Sequence, residues 1–140
     1  MPKILTRGAA MVGTLIGAGG GFAEFMLENT VARTDVTPKN LFILPKGAIP
    51  VRLETAGTVL SNAVTTATLD VGKTGTVNFF GAALDVKAAN FGDAAIVRPM
   101  KQSVPLTVDT QVVGQYAETG GASSAGGPWT VRVYYKMPGS

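Results

Sequence analysis

Few residues in this chain could do chemistry, and their types decide much. The 140 residues contain no histidine and no cysteine. The commonest general base, the commonest side-chain metal ligand and any thiolate nucleophile are therefore missing. A serine nucleophile would need a lysine base instead, and no Ser-x-x-Lys spacing occurs. Gly72-Lys73-Thr74 matches the tail of a phosphate-binding loop. That motif needs a first glycine five residues earlier so that backbone amides can cradle phosphate. Ala67 stands there instead, within a strand-like run, and no helical pattern follows; a hairpin turn is the better reading. Asp70, Asp85, Asp93 and Asp109 are scattered. Calcium needs several oxygen ligands packed into one loop, and glycoside hydrolysis needs a carboxylate pair, so these four are expected to be solvated turn residues. Neither a metal site nor a cofactor is expected, and the chain reads as a non-enzyme.

Aromatic residues are the remaining candidates. Trp129, Tyr134, Tyr135 and Tyr116 would suit a platform for sugar rings, but their spacing favours another arrangement. Trp129, Val131, Val133, Tyr135 and Met137 fall in one phase of a two-residue period, with Thr130, Arg132, Tyr134 and Lys136 in the other. Side chains alternate between the faces of a strand, so the first set is expected in a core and the second on an outer surface. An outward Tyr134 between Arg132 and Lys136 suits a protein interface, where Tyr and Arg are enriched. A strand of this kind belongs in an antiparallel sheet with one face buried.

The elements that must position these residues are read from the same periodicity. Leu41 to Leu44 is a short apolar run stopped by the turn signal Pro45-Lys46-Gly47. Ile49, Val51 and Leu53 alternate with Pro50, Arg52 and Glu54, and the proline points to an edge strand or a strand start. In Val64 to Val71, Ala67, Leu69 and Val71 read inward and Thr66, Thr68 and Asp70 outward. Gly72 to Gly75 then forms a four-residue connection to Thr76–Phe80, giving a hairpin. Residues 81–93 look irregular, with Leu84, Val86 and Phe91 plugging the core. Ala95–Val97 and Ser103–Val113 read as further strands. The fourteen residues Gly114 to Gly127 read as a long Gly/Ser/Ala loop, mobile or in contact with a partner. With about seven or eight short strands, the chain is expected to be all-β, an antiparallel β-sandwich or jelly roll.

Twelve Lys/Arg against nine Asp/Glu give a net charge of +3, with no basic cluster interleaved with aromatics, so no nucleic-acid partner is expected. The apolar run from Gly8 to Ala23 is broken by Gly13, Gly17, Gly19, Gly20 and Gly21, which argues against a membrane-spanning helix. The expected division is an extended, Gly-rich N-terminal arm at 1–40 and a sandwich domain at 41–140. Within the arm, Phe22 to Glu28 reads as a short helix or an edge strand. An apolar arm calls for a cover, from its own domain or from a neighbour, so Phe22, Phe25, Met26 and Leu27 join Tyr116, Arg132, Tyr134 and Lys136 as candidate interface residues.

The order Leu-Pro-Lys-Gly-Ala-Ile-Pro-Val (44–51), Thr-Ala-Thr-Leu-Asp-Val-Gly (66–72), Val104 to Val113, the loop Gly-Gly-Ala-Ser-Ser-Ala-Gly-Gly (120–127) and the closing Val-Arg-Val-Tyr-Tyr resembles the small β-sandwich structural proteins of tailed-bacteriophage virions, of the head decoration (cement) or head-fibre type. The resemblance covers Leu41 to Lys136 and leaves out the arm. It implies a non-enzymatic virion component on the capsid surface, bound to the major capsid protein and associated as a homo-oligomer, commonly a trimer. A tail or fibre location within the virion, and a carbohydrate-binding module using Tyr116, Tyr134 or Trp129, are the alternative expectations.

Overall fold

The computed structural model describes residues 23–57, 59–87, 96–99 and 104–138. Eight strands follow one another: β1 (Ala23–Val31), β2 (Lys39–Leu44), β3 (Ile49–Ala56), β4 (Thr66–Lys73), β5 (Thr76–Asp85), β6 (Ile96–Pro99), β7 (Thr110–Thr119) and β8 (Trp129–Met137). They form two antiparallel four-stranded sheets, ordered β1-β8-β3-β6 and β2-β7-β4-β5. First pairs with last, second with seventh, third with sixth and fourth with fifth, which is the pattern of a long hairpin rolled into an eight-stranded jelly roll. Residues 1–22, including Phe22, and the expected contributions of Phe91 and Asp93 lie outside the described residues.

Alternation builds the core. In β8, Trp129, Val131, Val133 and Tyr135 are buried, and Thr130, Arg132, Tyr134 and Lys136 are half-exposed. In β4, Ala67, Leu69 and Val71 face inward. Tyr116 stacks on Trp129 with centroids 5.3 Å apart, and Phe25 stacks on Tyr135 at 5.4 Å. Burying each large side chain of this kind contributes roughly 1.5–3 kcal/mol; the Tyr116–Trp129 stack joins the two sheets, and the Phe25–Tyr135 stack joins neighbouring strands of one sheet.

Several sequence expectations change. β1 pairs with β8 along its whole length, from Ala23 opposite Met137 to Val31 opposite Trp129, so the division at residue 40 falls inside the sandwich. The choice between helix and strand at 22–28 resolves to strand from Ala23. β3 lies between β8 and β6 and is no edge strand; Pro50 sits at a strand start beside a register break, where it is tolerated. That break also reverses the local phase, so that Pro50 is buried and Val51 half-exposed. The hairpin between β4 and β5 closes through two residues, Thr74 and Gly75, and not four, with Lys73 opposite Thr76. β5 runs on to Asp85, through residues expected to be irregular, by bulging twice against β4. The alternating stretch before Val113 is a strand only from Thr110. Before it, Leu106 is bonded through its backbone to Gly47 and Ala48 of the β2–β3 turn, while Val104 and Val108 stand exposed.

Candidate functional site

The outer face of the β1-β8-β3 sheet carries most of the chain's organised charge. β8 presents Arg132, Tyr134 and Lys136; register sets them against Glu28, Met26 and Glu24 of β1 and against Glu54, Arg52 and Ile49 of β3. Arg132 donates from Nε to Glu28 at 2.9 Å and from Nη1 to Glu54 at 3.0 Å, tying three strands together. The Tyr134 hydroxyl donates to the same Glu54 oxygen at 3.0 Å. Arg52 reaches across to both oxygens of Glu24, at 3.1 and 3.3 Å, and lies 4.0 Å over the Tyr134 ring. Glu24 and Glu54 side chains are only 12% and 15% exposed, so their charges depend on these partners.

The electrostatics follow from the contacts. Hydrogen bonds to Glu28 first and then Glu54 hold the Arg132 guanidinium above its ordinary value. Burial, with help from Glu54, pushes the Tyr134 hydroxyl up. Burial alone raises Tyr135 on the inner side. Three carboxylates meet two guanidiniums and Lys136, so the face is neutral and its hydrogen bonds are largely spent internally. Such a surface can recognise a complementary protein by shape and polar fit. It offers no unpaired base for chemistry.

A second organised region closes one end of the sandwich. The Tyr116 hydroxyl, 1% exposed as a residue, lies 2.6 Å from Ser61 Oγ and donates to Glu118 Oε1 at 2.8 Å. Glu118 Oε2 accepts the Ser123 amide at 3.0 Å, and Arg33 donates to the Ser123 carbonyl at 3.0 Å. Asn62 Oδ1 accepts the amides of Ser124 and Ala125. Hydrogen bonds from Ser123, side chain before backbone, and from Tyr116 hold the Glu118 carboxyl below its usual value. Gly127, at φ 66° and joined to Pro128 by a cis bond, lies flat on Trp129; a Cβ there would approach the ring to 2.9 Å. The expected fourteen-residue loop is therefore a tail of β7 followed by a connection at 120–128 that is fastened down.

The structure separates the candidate residues into groups. Arg132, Tyr134, Lys136 and half-exposed Met26 come together on the outer face. Phe25, Leu27 and Tyr116 do not join them: each is 5% exposed or less and packs in the core of its own chain. The sugar platform loses Tyr116 and Trp129 for the same reason. Asp70 of β4 accepts the Ala83 amide across the register break with β5, Asp85 accepts that of Lys87 at the end of β5, and Asp109 accepts that of Lys46 in the β2–β3 turn. Among the described residues no three His, Cys, Asp or Glu side chains gather as metal ligands would, and no helix is long and apolar enough to cross a membrane. Sequence reasoning missed Glu24, Glu28, Glu54 and Arg52. Their signal was present in the outward phase of β1 and β3, but their partners were set by strand pairing.

No protein-family model matches the sequence, and no curated protein matches it. Solved structures do match in fold. One chain of the cyanophage Pam1 capsid asymmetric unit superposes with a TM-score of 0.59 at 21% identity, covering 98% of this chain and 94% of that one. A chain of the acidic stable capsid structure of Helicobacter pylori bacteriophage KHP30 does so with a TM-score of 0.59 at 19% identity, over 93% and 94% of the two chains.

Proposed function

We propose that this chain is a structural protein of a phage virion that decorates the head, binding the major capsid protein on the outside of the shell and stabilising it without catalysing a reaction. The observation that carries the reading is the extent of the fold match. It takes in nearly the whole of both chains in two phage capsids. The neutral, internally paired outer face around Arg132 and Tyr134 suits a protein contact and supplies no reactive group. A homotrimer is the favoured association. Identical subunits usually close into a symmetric ring, and three tethered copies hold a shell far longer than one.

The test is co-sedimentation of the purified chain with shells assembled from the major capsid protein, with its mass measured by light scattering. The expected result is a trimer that pellets with shells, at an occupancy set by shell symmetry. A chain that stays in the supernatant at saturating concentration would overturn the reading.

A further inference from the structure

The connection between β7 and β8 is built as a flap. Its middle, Ala122 to Ala125, is bracketed by two glycine pairs, Gly120-Gly121 and Gly126-Gly127, and all four glycines stand at positive φ (86°, 141°, 139° and 66°). Such pairs turn the chain sharply and can act as hinges, because glycine reaches that region without strain. No side chain between the pairs is larger than serine, and Ala122 to Ala125 are exposed or half-exposed. Apolar burial therefore contributes little to holding the middle down. Under the second hinge lie Ser61 and Trp129: a Cβ at Gly126 would come within 2.8 Å of the Ser61 backbone and 3.2 Å of the indole ring. Trp129 and its stacking partner Tyr116 are 0% and 1% exposed.

Polar side chains do most of the holding. Asn62 of the β3–β4 connection accepts the Ser124 and Ala125 amides at 2.9 and 3.0 Å and donates to Ser124 Oγ at 2.9 Å. Arg33 of the β1–β2 turn donates to the Ser123 carbonyl at 3.0 Å. Main-chain bonds from the Asn62 amide to the Ala125 carbonyl and from the Gly127 amide to the Val59 carbonyl add to these. Glu118, near the end of β7, links the flap to what lies beneath it. Its Oε1 accepts the Tyr116 hydroxyl at 2.8 Å, and its Oε2 accepts the Ser123 amide at 3.0 Å. An ionised carboxylate is an acceptor only, and its charge-assisted bonds are roughly twice as strong as neutral ones. A proton added to Glu118 removes that charge and weakens both bonds. Arg33 is the charged neighbour acting on Glu118, and it favours the ionised form. Ser61 and Asn62 of the β3–β4 connection, and Ala67 opposite Glu118 on β4, are uncharged; residues 120–128 include no ionisable side chain.

We propose that residues 120–128 are an acid-released flap: protonation of Glu118 lets the segment swing on its glycine hinges and uncovers the Trp129–Tyr116 stack while both sheets stay paired. The contacts that give way lie at the end of the sandwich, whereas Tyr116 and Trp129 keep their places in the β4–β7 and β1–β8 ladders. Opening of this kind is a local transition and costs less than unfolding the sheets. The direction of the response follows from the contacts of Glu118. Hydrogen bonds from Ser123 and Tyr116 hold its carboxyl below the ordinary value of 4.5, so its grip on the flap is complete above that value. The grip is lost as pH falls through the lower folded value. Exposure of the aromatic pair thereby becomes a function of pH. This inference does not depend on the virion reading.

Trp129 is the single tryptophan of the chain, so its emission reports on the flap in the full-length protein. Acrylamide quenching of that emission should rise severalfold as pH is lowered from neutrality through the Glu118 transition, with the far-ultraviolet circular dichroism of the sheets unchanged. Glu118→Gln has no carboxyl to titrate, and the acid step should vanish. Asn62→Ala removes its side-chain bonds to Ser124 and Ala125, so quenching should rise at neutral pH while the acid step remains. Quenching that stays at its neutral level until the sheet signal itself is lost would overturn the proposal. So would an acid step that survives in Glu118→Gln, or neutral quenching unaltered by Asn62→Ala. Amide exchange on the unsubstituted chain gives a check free of any variant. Protection of the Ser123 and Ser124 amides should fall in the acid range while protection across the β4–β7 ladder holds, and a parallel fall in both would refute a separate flap.

Discussion

Replacing Tyr116 by Phe removes a single oxygen from the fastened end of the sandwich and leaves the aromatic stack on Trp129 in place. That oxygen lies 2.6 Å from Ser61 Oγ, and Ser61 is 5% exposed. Ser61 Oγ already accepts the Ala63 amide at 3.2 Å, so its own proton is directed at Tyr116, which in turn donates to Glu118. In Tyr116→Phe the Ser61 proton has no acceptor and little access to water. A neutral hydrogen bond contributes about 0.5–1.5 kcal/mol, and a stranded buried donor costs about 1–3 kcal/mol. The expected loss is therefore about 2 kcal/mol, which lowers the denaturant midpoint with the slope unchanged. Amide exchange at Ser123 and Ala125 should accelerate more than exchange in the β4–β7 ladder, because the connection at 120–128 loses an anchor while the sheet does not. A stability change under ~0.5 kcal/mol with unaltered Ser123 exchange would refute the argument that this hydroxyl fastens the loop.

Other perturbations separate the remaining contributions. Glu118 has its folded value depressed, so the stability it contributes is present above its unfolded value of 4.5 and is lost as pH falls through the lower folded value. Glu118→Gln should flatten the stability profile in that acid window and change little near neutrality, as read by denaturation at a series of pH values; an unchanged acid limb would contradict it. Arg132→Met strands Glu28 and Glu54 together, and a cycle with Glu54→Gln should give a coupling of about 0.5–1 kcal/mol, set low because the pair is partly solvated; zero coupling would mean the bridge is ornamental. Trp129→Ala empties the centre of the core and should cost about 3–5 kcal/mol by chemical denaturation. Removing residues 1–40 deletes β1 and the start of β2 and should abolish the cooperative transition, whereas removing 1–22 should preserve it; a folded 41–140 fragment would refute the account of β1.

Local pattern and non-local pairing were unequally legible in this chain. The inward and outward sets of β8 and β4 were readable because the pleat imposes a two-residue period whatever the partner strand is. Tyr116 was readable in principle: it continues the phase of Val112 and Gly114, but the glycine and the Ser/Gly-rich stretch that follows made the run look like loop. β1 was hidden for the same reason, since its nine strand residues adjoin a glycine-rich segment whose composition masks the alternation of Phe25, Leu27 and Val31.

By itself the sequence determined that the chain is built of antiparallel strands, that it lacks histidine and cysteine chemistry, and which side chains of its last strand face the core. Those are consequences of residue type and of a period that spans a few residues. Only the tertiary structure decided that Arg132 would meet Glu28, 104 positions away, that Tyr116 would be locked against Trp129 and Ser61, and that β1 would pair with β8 along its whole length. Each depends on which strands neighbour each other and in what register, and that is fixed by the joint burial of two whole sheets, which no local stretch encodes.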